Sequence, residues 1–213
     1  MNALARRALQ APFRVSARAM RRVPGFKLFD ETRDTQTPVT VGMWVRQQVF
    51  GVNHGPYWPV HPTSRVVGWR NVLAGVETSP GYMPGCYVQA LGTIEIGDYT
   101  QIGPSVGLIS ANHEPGDLRR HRIGKITIGR YCWLGMGAMV LPDVTLGDFT
   151  VVGAGAVVTR SFPDGYCVIA GNPAAPIRSL DPEACTRHRS RREYHGFIPK
   201  ARFAAFRAAE LAL

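Results

Sequence analysis

Large aliphatic residues recur at every sixth position through the second half of the chain. Ile128, Leu134, Val140, Leu146, Val152 and Val158 follow one another without a miss. Two positions before each stands a small or β-branched residue, namely Ile126, Cys132, Ala138, Val144, Thr150 and Ala156. The position after each is mostly glycine (Gly129, Gly135, Gly147, Gly153), with Leu141 and Thr159 the exceptions. With about one residue in four being Val, Ile or Leu, six successive hits arise by chance roughly once in several thousand frames. Upstream, Ile96, Ile102 and Leu108 keep the same register. Earlier still the frame passes through Val66 and Val72 and then meets Thr78, Pro84 and Ala90. The first coils are therefore expected to be irregular or slipped by a residue, with a start near 60–66.

A period of six suits neither a helix of 3.6 residues per turn nor a strand that returns by a hairpin. It suits a coil with flat sides, each side one short strand, the aliphatic column pointing inward and glycine easing the corners. The predicted fold is mainly β, with stacked parallel strands supplying the backbone pairing. Periodicity leaves the handedness open, since parallel crossovers are normally right-handed.

Between Leu108 and Ile128 the register is broken by ISANHEPGDLRRHRIGKIT, rich in Gly, Pro and charge, which predicts a loop (110–125) thrown out from one corner. The division that follows is an N-terminal basic segment and cap (1–59), a repeat domain (60–178) and a C-terminal basic helical extension (179–213). Residues 1–50 are expected to cap the first coil, with a short helix over 41–50. The span 199–213 predicts a helix with Pro199 in its first turn and Ala201, Phe203, Phe206 and Leu211 on one side, covering the last coil or packing in an oligomer.

The formal net charge of +10 sits at the ends. Residues 1–29 hold seven Lys or Arg and no acid, and residues 178–213 hold eight against four acids. Such ends suit phosphate-bearing ligands, anionic lipid or nucleic acid, or simply a solvated surface. Peripheral membrane contact through 1–22 is one reading, though Pro12 interrupts that stretch. No apolar run reaches signal-peptide or membrane-span length, and Arg6-Arg7 lacks the apolar region of a twin-arginine signal, so a cytoplasmic location is expected. Cys86, Cys132, Cys167 and Cys185 have no C-x-x-C spacing, so no zinc or redox site is expected.

His113, at the base of the interrupting loop, is the candidate for chemistry, because imidazole takes a proton near neutral pH and loops on rigid scaffolds carry catalytic groups. Glu114 or Asp117 stand where either could orient it, and each is equally readable as a turn residue.

The stretch 94–178 resembles the hexapeptide-repeat acyltransferases, including the maltose and galactoside O-acetyltransferases and those of exopolysaccharide gene clusters. The hexads carry the resemblance, with SANHEPGD at 110–117, IGRYCWLGMGAMVLPDVTLGDFTVVGAGAVVTRSF at 128–162 and VIAGNPAAPIR at 168–178. It implies a left-handed coil, a homotrimer with sites between subunits, acetyl-CoA as acyl donor and His113 as the general base. Coenzyme contacts carried over by position are Trp133, Met136, Ala154, Thr159, Arg160 and Arg178. Arg160 stands where the family usually has Lys, and Ala175 replaces a further Lys, which shifts phosphate binding toward Arg178. Acceptor contacts carried over are Tyr87, Gln89, Asn112 and His121. Packing alone would explain Ala154, and Trp133 could simply cap a corner. Tyr57 and Trp58 could stack on a sugar or cover the open end of the solenoid.

The expected activity is O-acetylation of a sugar hydroxyl, on a saccharide, a nucleotide sugar or a lipid-linked or polysaccharide intermediate. Sugar-amine N-acetylation, an antibiotic acceptor and a non-catalytic β-helix scaffold are the alternatives. A zinc hydratase on the same scaffold needs three imidazoles around an open metal. None of His54, His61, His113, His121, His188 or His195 lies in the regular coils, so no metal is expected, and no nucleic-acid partner either.

Overall fold

The computed structural model describes residues 27–213. The basic segment 1–22 read above as a membrane contact lies outside the described residues.

The hexads wind into a three-sided parallel prism. Face one stacks β1 (Arg65–Val67), β3 (Tyr87–Gln89), β6 (Gly107–Ile109), β11 (Met139–Val140) and β14 (Val157–Val158). Face two stacks β2 (Val72–Ala74), β4 (Ile94–Ile96), β9 (Ile126–Ile128) and β12 (Thr145–Leu146). Face three stacks β5 (Gln101–Ile102), β10 (Trp133–Leu134), β13 (Thr150–Val152) and β15 (Cys167–Gly171), and the antiparallel β16 (Ala174–Ser179) closes its end. In the later coils partners lie three hexads apart, as in Thr127↔Thr145, Trp133↔Val151 and Met139↔Val157. Ile128, Leu134 and Val140 thus stand on faces two, three and one of a single coil. They and the column two residues ahead of them (Ile126, Cys132, Ala138) are buried. Each large aliphatic so buried contributes about 1.5–3 kcal/mol before the entropy of ordering it.

The first coil departs from the frame by two residues. Val66 pairs with Val88, two residues short of the frame position Ala90, and it is Ala74 and not the frame position Val72 that faces Ile96. A 3-10 turn, Trp69–Asn71, follows Gly68 and adds the extra length. Gly68 adopts φ 70°, and a Cβ there would meet the carbonyl oxygen of Ala90 at 2.2 Å.

One corner carries an unforeseen feature. Tyr99, Tyr131, Phe149 and Tyr166 each occupy the turn from face two to face three with positive φ, where glycine or asparagine is usual. Their rings form a ladder with centroid spacings of 5.3, 4.9 and 5.2 Å. Stacking worth about 0.5–1.5 kcal/mol per pair offsets the cost of the left-handed backbone.

The chain then runs back over this ladder. Leu180 N–H donates to Tyr166 O, Tyr131 Oη to His188 O, Ser190 N–H to Tyr99 Oη, and Glu77 N–H to Tyr194 O. Strands β17 (Tyr194–His195) and β18 (Ile198–Pro199) lead into the terminal helix. That helix therefore covers the first coil, not the last coil expected from sequence.

Among the described residues three α-helices flank the prism: α1 (Lys27–Glu31), α2 (Val41–Trp44) and α3 (Lys200–Glu210). Phe203 of α3 stacks on His195 at 3.6 Å and lies 5.5 Å from the Tyr57 ring, while Ala212 N–H donates to Arg70 O. Tyr57 and Trp58 are buried there, with Trp58 Nε1–H on Pro80 O, so they cover the solenoid end. Helix α2 is capped by the Thr40 hydroxyl and runs on as a π-turn, Val45–Val49. Among the described residues no helix is long and apolar enough to cross a membrane.

Candidate active site

The interruption at 110–125 is not an irregular loop. It is an antiparallel hairpin of β7 (Ala111–Glu114) and β8 (Asp117–Ile123), standing at the corner between faces one and two. The charge-rich sequence hid it, since both strands project from the prism and neither buries a regular apolar side. Its base is anchored. The buried Ser110 hydroxyl lies 2.8 Å from Gln89 O and accepts from Gly92 N–H at 2.9 Å, and Gln89 Oε1 accepts from Ala111 N–H at 3.1 Å. On the exit strand Arg122 reaches Asp143 of the next coil at 3.0 Å, and just past that strand Lys125 reaches Glu95 at 2.9 Å.

His113 projects from β7 with its Nδ1 2.6 Å from the carbonyl oxygen of Leu118. A carbonyl only accepts, so Nδ1 carries the proton and Nε2 presents its lone pair. The partner is thus backbone, and neither carboxylate proposed from sequence serves. Asp117 is held by Arg119 through Nε at 2.8 Å and Nη2 at 3.0 Å, which keeps its carboxyl below the usual carboxylate range. His121 faces His113 across the hairpin, with ring centroids 4.3 Å apart.

The remaining candidates fall into two groups. Asn112 and His121 share the hairpin, and Thr159 and Arg160 lie exposed at the same corner in the last coil, with Arg160 over the Phe162 ring at 5.3 Å. Tyr87 is exposed at the start of β3 on face one, in register with Gly107. Gln89 is committed to Ala111, which makes it a support for the hairpin. Trp133 is exposed on face three between Gln101 and Val151, and Met136 and Ala154 are exposed where face three turns to face one. Arg178 lies exposed on β16, paired with Val168. In a triangular prism face three is opposite the corner that bears the hairpin. One chain therefore does not bring Trp133 and Arg178 to His113.

Face three also holds a groove of about 220 Å³ that sequence reasoning missed. Gln36, Thr37, Ser79, Tyr82 and Gln101 line it, Trp133 forms a wall, and among the described residues no charged side chain contributes. Gln36 and Thr37 precede the repeats, and only the fold brings them to Trp133.

Among the described residues no three His, Cys, Asp or Glu side chains gather as a metal cage. The Cys132 thiol is buried, and burial pushes its pKa up to about 12, so it is no nucleophile at neutral pH.

Residues 125–160 match the bacterial transferase hexapeptide family (six repeats). A Dictyostelium discoideum protein named as an acetyltransferase is 41% identical over 140 residues, 64% of this chain and 72% of that one. Nodulation protein L of Rhizobium leguminosarum bv. viciae is 48% identical over 94 residues, 42% of this chain and 48% of that protein, so the chain spans about half of that relative. A maltose O-acetyltransferase from Clostridium difficile 630 shares the fold at a TM-score of 0.54 and 21% identity, over 74% of this chain and 88% of that one. A galactoside acetyltransferase in complex with coenzyme A does so at 0.58 and 23%, over 81% and 87%. The shared architecture is the left-handed parallel β-helix of hexapeptide repeats.

Proposed function

The chain belongs to the hexapeptide-repeat acyltransferases, and from that premise we propose that it moves an acetyl group from acetyl-CoA to a hydroxyl of an uncharged sugar, with His113 as the base. The observation that carries this reading is the Leu118 carbonyl on His113 Nδ1, which leaves Nε2 free to take a proton. His113 Nε2 removes the hydroxyl proton as the oxygen attacks the thioester carbonyl. The tetrahedral intermediate expels the coenzyme thiolate, which recovers the proton from the imidazolium. A backbone N–H of a neighbouring coil is the donor suited to the oxyanion.

Acetyl-CoA as donor accords with the coenzyme bound in the galactoside acetyltransferase. The assembly is a trimer in which face three of one copy meets the hairpin corner of the next. Such packing brings Trp133, Met136, Ala154 and Arg178 to a neighbour's His113, and it accounts for their separation within one chain. The groove beside Trp133 then seats the acceptor. Amide, hydroxyl and phenol groups without a net charge suit a polyhydroxylated, neutral ligand. Use of acetyl-CoA as donor supports a cytoplasmic location.

A panel of neutral sugars, amino sugars and acidic sugars incubated with acetyl-CoA tests this, with free thiol as the readout. Release that depends on a neutral sugar is the expected result. Release only with amino sugars would convert the reading to N-acetylation, and release with none of the panel contradicts it.

A further inference from the structure

The corner that carries the His113 hairpin also carries an aromatic cleft. The turn Trp69–Asn71 joins β1 to β2 in the first coil, and the hairpin joins β6 to β9 in the third, with β3 and β4 of the second coil in register between them. Contacts down this corner are continuous. Asn71 Nδ2 donates to Ala90 O at 2.9 Å, Gly92 N–H donates to Ser110 Oγ at 2.9 Å, and a Cβ on Gly92 would run into the carbonyl of Gly124. Two coil spacings, about 10 Å, therefore separate the Trp69 turn from the base of the hairpin.

The cleft has a volume of about 620 Å³ and lies between α3 and the first coil. Its floor is the Tyr57 ring with the Phe206 ring 5.0 Å away, and Trp69 forms a wall. The indole is held in place. The Arg70 guanidinium stacks on it at 4.4 Å, and Gly55, at φ 127°, comes so close that a Cβ there would stand 2.7 Å from Trp69 Nε1. Gln48, His54, Arg70 and Glu210 supply the rim, and Arg70 pairs with Glu210 at 3.7 Å, which sets donors beside acceptors with the two charges balanced. A prearranged aromatic surface under a mixed polar rim suits a ligand with an apolar face and hydroxyls at its edge, which is the build of a neutral pyranose. A purely apolar ligand would leave the rim groups without partners. Between cleft and hairpin the corner exposes Leu91 and Ile123, apolar surface on which the C–H face of a sugar can lie.

We propose that this cleft is a subsite for a neutral oligosaccharide. The acceptor is then a chain of sugars whose reacting unit lies at His113 and whose further units run down the corner onto Trp69. The inference deepens the acyltransfer reading and rests on it for the reacting end alone.

Thiol release from acetyl-CoA by the full chain, with glucose and with the maltose and cellobiose series up to the tetramers, tests it. From glucose to the tetramers kcat/KM should rise at least about tenfold, through KM with kcat little changed, because contacts remote from the reacting hydroxyl hold ground and transition states alike. Trp69→Ala should lower the tetramer-to-glucose ratio about tenfold, as loss of the stacking surface does. His54→Ala, at an exposed residue, should lower it about threefold, the scale of one hydrogen bond. The ratio is taken within each variant, so a smaller folded fraction does not move it. A ratio near one in the wild type, or a wild-type ratio in Trp69→Ala, overturns the proposal. Where Trp69→Ala does not fold, a wild-type ratio in His54→Ala overturns it instead. Absence of thiol release with every sugar counts against the acyltransfer reading, and calorimetry of maltotetraose and cellotetraose without acetyl-CoA then decides the subsite. Binding that His54→Ala weakens supports it, and no binding, or equal binding by the two proteins, overturns it.

Discussion

The side-chain oxygen of Gln89 stands 3.1 Å from the backbone nitrogen of Ala111, where the chain leaves the prism to form the hairpin. Ala111 is buried, so this N–H has no water to replace a lost partner. Gln89→Leu should cost about 1–3 kcal/mol of stability, the penalty of an unsatisfied buried donor. Loosening the hairpin should lower kcat while the acceptor KM stays near wild type. A raised acceptor KM with unchanged kcat would restore the substrate contact expected from sequence.

Arg160 and Arg178 divide between the hairpin corner and face three, which two copies would have to bring together around one coenzyme. Arg160→Ala and Arg178→Ala should each raise the KM for acetyl-CoA about tenfold, as loss of a charge-assisted contact to phosphate does. With acetyl-pantetheine, which lacks the nucleotide phosphates, both variants should match wild type. Equal losses with the two donors would place the arginines elsewhere in the mechanism.

His195 is buried between the carbonyl of Ala74 and the ring of Phe203, and burial pushes its pKa below the ordinary histidine value. The unfolded chain takes up this proton near pH 6.5, whereas the folded chain resists it to lower pH. Stability from this group is thus complete above about pH 6.5 and is lost as pH falls from there through the folded value. The melting temperature should drop between pH 7 and 5, and His195→Gln should melt lower overall with a flatter pH dependence. An unchanged slope would contradict the assignment.

Phe149 stacks between Tyr131 and Tyr166 and beneath the guanidinium of Arg187. Phe149→Ala should destabilise by about 3 kcal/mol or more, read as a lower denaturant midpoint, because it opens a gap in the middle of the ladder. A loss below about 1 kcal/mol would mean that the ladder is decorative.

The prism was legible in the sequence because its core obeys a strict period. Ile128, Leu134 and Val140 needed only counting. The two-residue slip at Ala74 was not legible, since a short 3-10 turn has no periodic signature. Three rungs of the ladder, Tyr99, Tyr131 and Phe149, were visible in principle as an aromatic three residues after the face-two aliphatics Ile96, Ile128 and Leu146, whereas Tyr166 follows Pro163 and has no such signal. The ladder went unread because turn positions are expected to hold glycine. His113 stood out by context, but its partner is the backbone of Leu118, and no side-chain motif encodes a carbonyl. The return of the C-terminal helix to the first coil depends on contacts between His188, Tyr99 and Tyr131, which are remote from one another in sequence.

The central claim is that the free nitrogen of His113 removes the acceptor proton. Thiol release from acetyl-CoA by His113→Ala, with an acceptor that wild type uses, tests it most directly. Turnover should fall at least about a hundredfold, as loss of a general base does, with the melting temperature held. A folded His113→Ala variant that turns over at the wild-type rate would contradict the account.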